Sequence, residues 1–152
     1  MNSSYYERSA WIQLAALLAV LSVAGAVVGS MLNRGDSDIA SYGWVYLIAY
    51  VALIIVVIVG HIGMSILSVT LGNEDAETLD KADERDKVIS WRANAYTSWI
   101  VGATVAIAVI MLVFDASPIW VANVLVAGSF VAEIAKQLVQ LFWYRVGSAM
   151  PC

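Results

Sequence analysis

The chain has 152 residues, of which 61% are hydrophobic and only 13% are charged, and its net charge is −4. A soluble domain of this length has too little polar surface to cover so much apolar side chain, so the composition indicates an integral membrane protein. One histidine and one cysteine, Cys152, exclude disulfide chemistry within one chain and a histidine-rich metal site. No metal or other cofactor is expected.

Four apolar runs follow one another along the sequence, at about residues 11–32, 43–71, 95–114 and 118–146. Each reaches the roughly 20 residues with which a helix crosses about 30 Å of hydrocarbon. Because a backbone in lipid must satisfy its hydrogen bonds within its own segment, even the β-branched second run is expected to be helical. The predicted fold is an all-α, antiparallel bundle of four transmembrane helices, a single domain over residues 1–152.

Small residues in the first run indicate a helix contact. Gly25 and Gly29 have the GxxxG spacing that lets two helix backbones approach closely in lipid. The pattern predicts close packing either inside the bundle or between two copies of the chain. A homodimer is therefore one candidate assembly.

The segment between the second and third runs, residues 73–92, carries most of the acids of the chain. We call it the acidic connector. Glu77 and Lys81 are spaced at i,i+4, an arrangement that supports a helix, and the pattern predicts that this helix continues into the third run. One interpretation is a solvated amphipathic helix. The other is a docking surface for a cytoplasmic protein, with these contact residues: Asp83, Glu84, Arg85 and Asp86.

Lysine and arginine predict the orientation. Arg8, the bases of the acidic connector and Arg145 flank one side of the predicted bundle, whereas the opposite side carries only Arg34. Positive residues stay on the cytoplasmic side, so both termini and the acidic connector are expected there, in a cell inner membrane. The chain has no polybasic patch, and nucleic-acid binding is not expected.

The fourth run contains polar residues that a membrane helix would not need for its stability. Glu133, Gln137 and Gln140 fall on one helical face, with Lys136 beside it. Counted by helical rise, residues of two other runs reach the same depth. The sequence therefore allows one intramembrane polar layer with these members: His61, Thr97, Thr104, Glu133, Lys136, Gln137 and Gln140.

Two interpretations of this polar layer remain open. In the first, Glu133 and Lys136 form a buried ion pair that fixes the register of the bundle, and loss of one partner costs about 3–5 kcal/mol. In the second, Glu133 is a titratable proton or cation site that Lys136 tunes, and His61 completes a relay.

Two segments carry a resemblance to a known group of proteins. They are "ADERDKVISWRANAYTSWIV", residues 82–101, and "AEIAKQLVQLFWYRVG", residues 132–147. Both are similar to an uncharacterised family of small bacterial four-helix membrane proteins. That family has an Asp-Glu-Arg box before the third helix, here Asp83, Glu84 and Arg85, and ends its fourth helix with Tyr-Arg, here Tyr144 and Arg145. The resemblance implies a four-helix fold and a signalling role, and the family has no assigned activity.

The sequence is compatible with two functions from different classes. The sequence lacks a Ser-His-Asp spacing, an HExxH motif and a glycine-rich phosphate loop, so an enzyme is not expected. The first hypothesis is a non-enzymatic membrane protein that acts through its acidic connector on a protein partner. The second is a small oligomeric proton- or cation-coupled transporter or channel that uses the polar layer. A quinone or lipid pocket lined by Tyr46, Tyr50 and tryptophans is a further alternative.

Overall fold

A computed structural model of the chain describes residues 5–70 and 84–146. The described residues form four helices: α1 (Tyr5–Asn33), α2 (Ile39–Thr70), α3 (Glu84–Val113) and α4 (Pro118–Val146). Each helix contains a stretch long and apolar enough to cross a membrane. The prediction of four helices that are each long and apolar enough to cross a membrane is confirmed.

Local chemistry explains where the helices begin and end. α2 begins directly after Asp38. The Asp38 carboxylate accepts a hydrogen bond of 3.2 Å from the backbone N–H of Ala40. It also accepts hydrogen bonds of 3.1 Å from the backbone N–H of Ser41 and of 2.6 Å from the Ser41 hydroxyl. This is an N-cap, which satisfies donors that the first turn leaves free. The same bonds, that of the Ser41 hydroxyl above all, lower the pKa of the Asp38 carboxyl. α1 ends before Gly35, which takes a left-handed φ of 74°.

α4 is the helix around which the others are arranged. It packs most extensively against α3 and also against α1, while α1 packs in turn against α2. α2 touches α4 over a short stretch only. As a result, α1 and α3 flank α4, and the space between them over α4 stays open.

Two clusters of buried apolar side chains mark the two ends of the bundle. One joins Ala10 of α1 to Leu141 of α4, and Ile134 packs against it. The other joins Met31 of α1 to Tyr42 of α2. We call the first the connector end, because α2 ends and α3 begins there, and the second the turn end.

The closest helix contacts occur at glycines other than the predicted pair. A Cβ placed on Gly128 of α4 would overlap the side chain of Thr104 of α3, so these two helices meet almost backbone to backbone. By contrast, a Cβ on Gly25 or on Gly29 would have nothing within 4 Å. The structure therefore does not show the close packing within one chain that the GxxxG spacing had predicted. Beside Gly25 the helices leave a cavity of about 90 Å³, which Phe130 also lines, so no neighbouring backbone approaches this glycine.

Candidate functional site

The main polar feature of the described structure is an open crevice at the connector end, between α1 and α3 and above α4. Its volume is about 510 Å³, within the range of small-molecule sites. All three helices contribute polar side chains to its lining: Ser9 and Gln13 from α1; Asp86, Lys87, Ser90 and Asn94 from α3; Lys136, Gln140 and Tyr144 from α4. We call this space the polar crevice.

Two arginine–tryptophan contacts join the helices that line the polar crevice. The guanidinium of Arg145 lies 5.8 Å from the ring centre of Trp11, which joins α4 to α1. The guanidinium of Arg92 lies 5.5 Å from the ring centre of Trp143, which joins α3 to α4. Cations over tryptophan rings are attracted to the electron-rich ring face. Tryptophan with arginine is also typical of the boundary between lipid and water.

The ion pair between Glu133 and Lys136 is present but is not buried. The Lys136 Nζ lies 3.7 Å from the Glu133 Oε2, and the side chain of Glu133 is 52% exposed. The expected ion pair is therefore present, but the expectation that it is buried is wrong. The neighbouring helices leave about half of the Glu133 side chain uncovered, although Gln137, one turn further along the same face of α4, is buried.

A glutamine pair lies next to the polar crevice. The Gln137 Nε2 of α4 donates a hydrogen bond of 2.6 Å to the Gln13 Oε1 of α1. Gln137 is only 1% exposed, and its Oε1 has no hydrogen-bond partner among the residues that the structure describes. Gln13 was not predicted to be a site residue. A signal did exist, because Gln13 is the only amide side chain in the first apolar run.

Gln140 joins the polar crevice from α4. Its Nε2 donates a long hydrogen bond of 3.5 Å to the hydroxyl of Ser90 on α3. Ser90 and its crevice neighbour Asn94 were also missed, because serine and asparagine at the start of a membrane helix read as ordinary boundary residues. They belong to the site only because α3 lies along α4.

His61 does not meet Glu133 or Lys136. Its Nε2 forms a hydrogen bond of 2.7 Å with the hydroxyl of Ser9 on α1, and its Nδ1 lies 2.7 Å from the backbone oxygen of Val57. This follows from the position of α2, which lies on α1 at this end and not on α4. Since Ser9 also lines the polar crevice, His61 reaches that space only through Ser9.

The two threonines of the predicted polar layer point elsewhere. Thr97 is buried, and its hydroxyl donates to the backbone oxygen of Ala93 at 3.0 Å. The Thr104 hydroxyl donates to the backbone oxygen of Ile100 at 2.8 Å. Both satisfy their hydroxyls within their own helix, which is how threonine is accommodated in lipid. Neither contributes to the polar crevice.

The predicted contact residues of the acidic connector lie partly within the described structure. Glu84 is exposed at the first residue of α3, and Asp86 lines the polar crevice. Arg85 lies in the same turn, but its side chain falls outside the described part, as does Asp83 altogether. The last nine residues of the acidic connector, 84–92, are therefore the first turns of α3.

The tyrosines proposed for a quinone or lipid pocket lie towards the turn end. The hydroxyl of Tyr46 donates to the Asn123 side chain, and the hydroxyl of Tyr50 bonds to that of Ser129. The cavity that Tyr46 lines holds about 90 Å³, whereas a cavity that takes up a benzene ring measures about 150 Å³. Both hydroxyls thus join α2 to α4.

The chemistry that the polar crevice offers is binding by charge and hydrogen bonds. Its charged side chains are Lys87, Lys136 and Asp86, so cationic groups outnumber anionic ones. Hydroxyl and amide groups supply both donors and acceptors. Within residues 5–70 and 84–146, no group of three or more His, Cys, Asp or Glu residues is placed to hold a metal ion. Comparison of the chain with family models, with curated proteins and with solved structures found no match.

Proposed function

We propose that the protein is a non-enzymatic integral membrane protein that acts by interaction. In this proposal its acidic connector contacts a cytoplasmic protein, and the polar crevice is the ligand site that controls this contact. The four helices form an antiparallel bundle in a bacterial inner membrane, with both termini and the acidic connector on the cytoplasmic side. The uneven distribution of lysine and arginine supports this orientation.

One observation carries the proposal: the acidic connector and the polar crevice share residues. Asp86, Lys87 and Ser90 belong to residues 84–92 of the acidic connector, and all three line the polar crevice. The opposite wall carries Lys136 and Gln140 of α4. A ligand held between these walls would change the position or mobility of the first turns of α3, and hence of the part of the acidic connector that precedes them in the chain. The polar crevice and the partner contact would be coupled only as far as the ligand binds one position of these turns more tightly than another.

The test is affinity purification of the full-length protein from native membranes at low and at high salt. We expect a protein partner that is retained at low salt and lost at high salt, because exposed charges are screened within about 10 Å at 0.1 M salt. The variant Glu84→Gln/Asp86→Asn should lose the partner. The matched control, Asp36→Asn/Asp115→Asn, removes two acids at the turn end and should keep it. Absence of any partner, or equal loss in both variants, would contradict the proposal.

A second candidate function, proton or cation transport, rests on a specific observation. Lys136 both lines the polar crevice and pairs with Glu133, whose carboxylate is half exposed. An ionisable carboxylate in a membrane span thus pairs with a lysine of the polar crevice, and such a carboxylate is a candidate transport site. Reconstitution into liposomes that contain a pH-sensitive dye tests this candidate. A flux that Glu133→Gln abolishes would support it, and no proton or cation flux under an applied potential would remove it.

A further inference from the structure

We propose that the polar crevice binds the headgroup of an amine-bearing phospholipid, with phosphoethanolamine as the chemical group recognised. The inference rests on the binding role of the polar crevice in the proposed function and names its ligand. It uses the charges of the lining side chains, the depth of the polar crevice and its opening between two helices.

The charges match a zwitterion. Lys87 and Lys136 supply ammonium groups for a phosphodiester anion, while Asp86 supplies a carboxylate for a primary ammonium group. The ammonium of the headgroup can donate hydrogen bonds to that carboxylate, and hydrogen bonds between charged partners are the strong ones. A purely anionic headgroup would leave Asp86 facing a like charge. A quaternary ammonium has no N–H group to donate to Asp86.

The depth of the polar crevice is that of lipid headgroups. Trp91, which is 72% exposed, lines it, and the pairs Arg92/Trp143 and Arg145/Trp11 stand beside it. Tryptophan and arginine gather where the headgroups lie. Because the opening lies between α1 and α3, a lipid could enter from the side with its acyl chains remaining in the bilayer.

Lys136 is suited to hold the phosphate from below. Its side chain is 26% exposed, and Glu133 lies at 3.7 Å from its Nζ. An ammonium group has three N–H donors, so one can face Glu133 while others face the polar crevice. Gln140 and Asn94 add amide N–H groups on either wall, which suit the ester oxygens that follow the phosphate in a glycerophospholipid.

The test measures lipid retention by native mass spectrometry on the full-length protein. The protein is equilibrated in detergent with equal amounts of phosphatidylethanolamine, phosphatidylcholine and phosphatidylglycerol that carry identical acyl chains. We expect phosphatidylethanolamine to be retained about tenfold or more over the other two, the effect of one charge-assisted hydrogen bond. Equal retention of the three lipids would overturn the inference. A separate arm adds water-soluble glycerophosphoethanolamine, and binding of that compound without retention of the lipid would also overturn it.

Two variants and a control assign the groups. Asp86→Asn should abolish the preference for phosphatidylethanolamine over phosphatidylglycerol, and Lys87→Gln should weaken retention of all three lipids by about tenfold. Arg34→Gln removes an exposed cation at the turn end, far from the polar crevice, and should change neither. A loss of retention in Arg34→Gln as large as that in Lys87→Gln would refute a specific site. Circular dichroism of each variant shows whether it is folded.

The same preparations separate this inference from the proposed function. If the protein retains its cytoplasmic partner but shows no preference among the lipids, the headgroup assignment is wrong and the connector contact stands. If phosphatidylethanolamine is selected but no partner is captured at low salt, the lipid site stands and the proposed function is wrong.

Discussion

In the glutamine pair at the connector end, the similar substitutions Gln13→Met and Gln137→Met should have different effects on the free energy of unfolding. Gln13 and Gln137 share one hydrogen bond of 2.6 Å, but their surroundings differ. Gln13 lines the polar crevice and can bond to water when its partner is removed. Gln137 is 1% exposed and has no such replacement. The unbranched methionine side chain matches glutamine in size, so Gln→Met changes polarity with little change in packing.

The expected magnitudes follow from this difference. Gln13→Met leaves the Nε2 of Gln137 buried without an acceptor, which should lower the free energy of unfolding by about 1–3 kcal/mol. Gln137→Met also loses the interhelical bond, which contributes about 0.6 kcal/mol on average between membrane helices. However, it removes the Gln137 Oε1, a buried acceptor with no partner among the described residues. The net change for Gln137→Met should therefore lie within about 1 kcal/mol of zero.

Reversible unfolding in mixed detergent micelles, titrated with sodium dodecyl sulfate and followed by circular dichroism, measures both changes. The double variant Gln13→Met/Gln137→Met should be more stable than Gln13→Met alone, because no buried amide is left unpaired. Gln140→Met is the matched control, since the hydrogen bond of Gln140 is long, at 3.5 Å, and its surroundings are open to the polar crevice. If Gln137→Met costs as much as Gln13→Met or more, the assignment of the buried, unpaired amide is wrong.

Three further predictions concern helix contacts, the ion pair and a helix cap. Gly128→Ala should destabilise the protein by about 1–3 kcal/mol because the new methyl group overlaps Thr104. Gly102→Ala, whose new methyl group has nothing within 4 Å, should stabilise it by up to about 1 kcal/mol. Thermal melting in detergent compares the two variants, and equal effects would contradict the close contact at Gly128. Glu133→Gln tests whether the exposed half of the Glu133 side chain faces water. A cost below about 1 kcal/mol in the same assay is expected for a hydrated ion pair, whereas a cost of about 3 kcal/mol would show a desolvated pair. Because the pKa of Asp38 is lowered in the folded protein, its cap stabilises α2 fully at pH values above the ordinary aspartate pKa, about 3.9. This contribution is lost as the pH falls through the lower pKa of Asp38 in the folded protein. The stability difference between wild type and Asp38→Ala should therefore shrink below about pH 4, and a difference independent of pH would contradict the cap.

The four spans could be predicted from the sequence alone because they depend on local properties. A run of about 20 apolar residues has to form a helix in lipid, whatever its neighbours are, since its backbone groups have no other partners. For the same reason the fourth predicted run, 118–146, has the limits of α4. Helical periodicity also showed that Glu133, Gln137 and Gln140 share a face.

Which helix meets that face was decided only by the tertiary structure. Along this one face of α4, Gln137 bonds to α1 and Gln140 bonds to α3, whereas Glu133, one turn before Gln137, is half exposed. Depth alone had grouped His61 with these residues, but α2 lies against α1 at this end. The order of helices around α4 depends on contacts between residues far apart in the chain, such as Gly128 with Thr104. Between helices in lipid the hydrophobic effect supplies no preference among neighbours, so close packing and polar pairs determine the arrangement. The periodicity of one helix shows which face is polar, but not which helix supplies its partner.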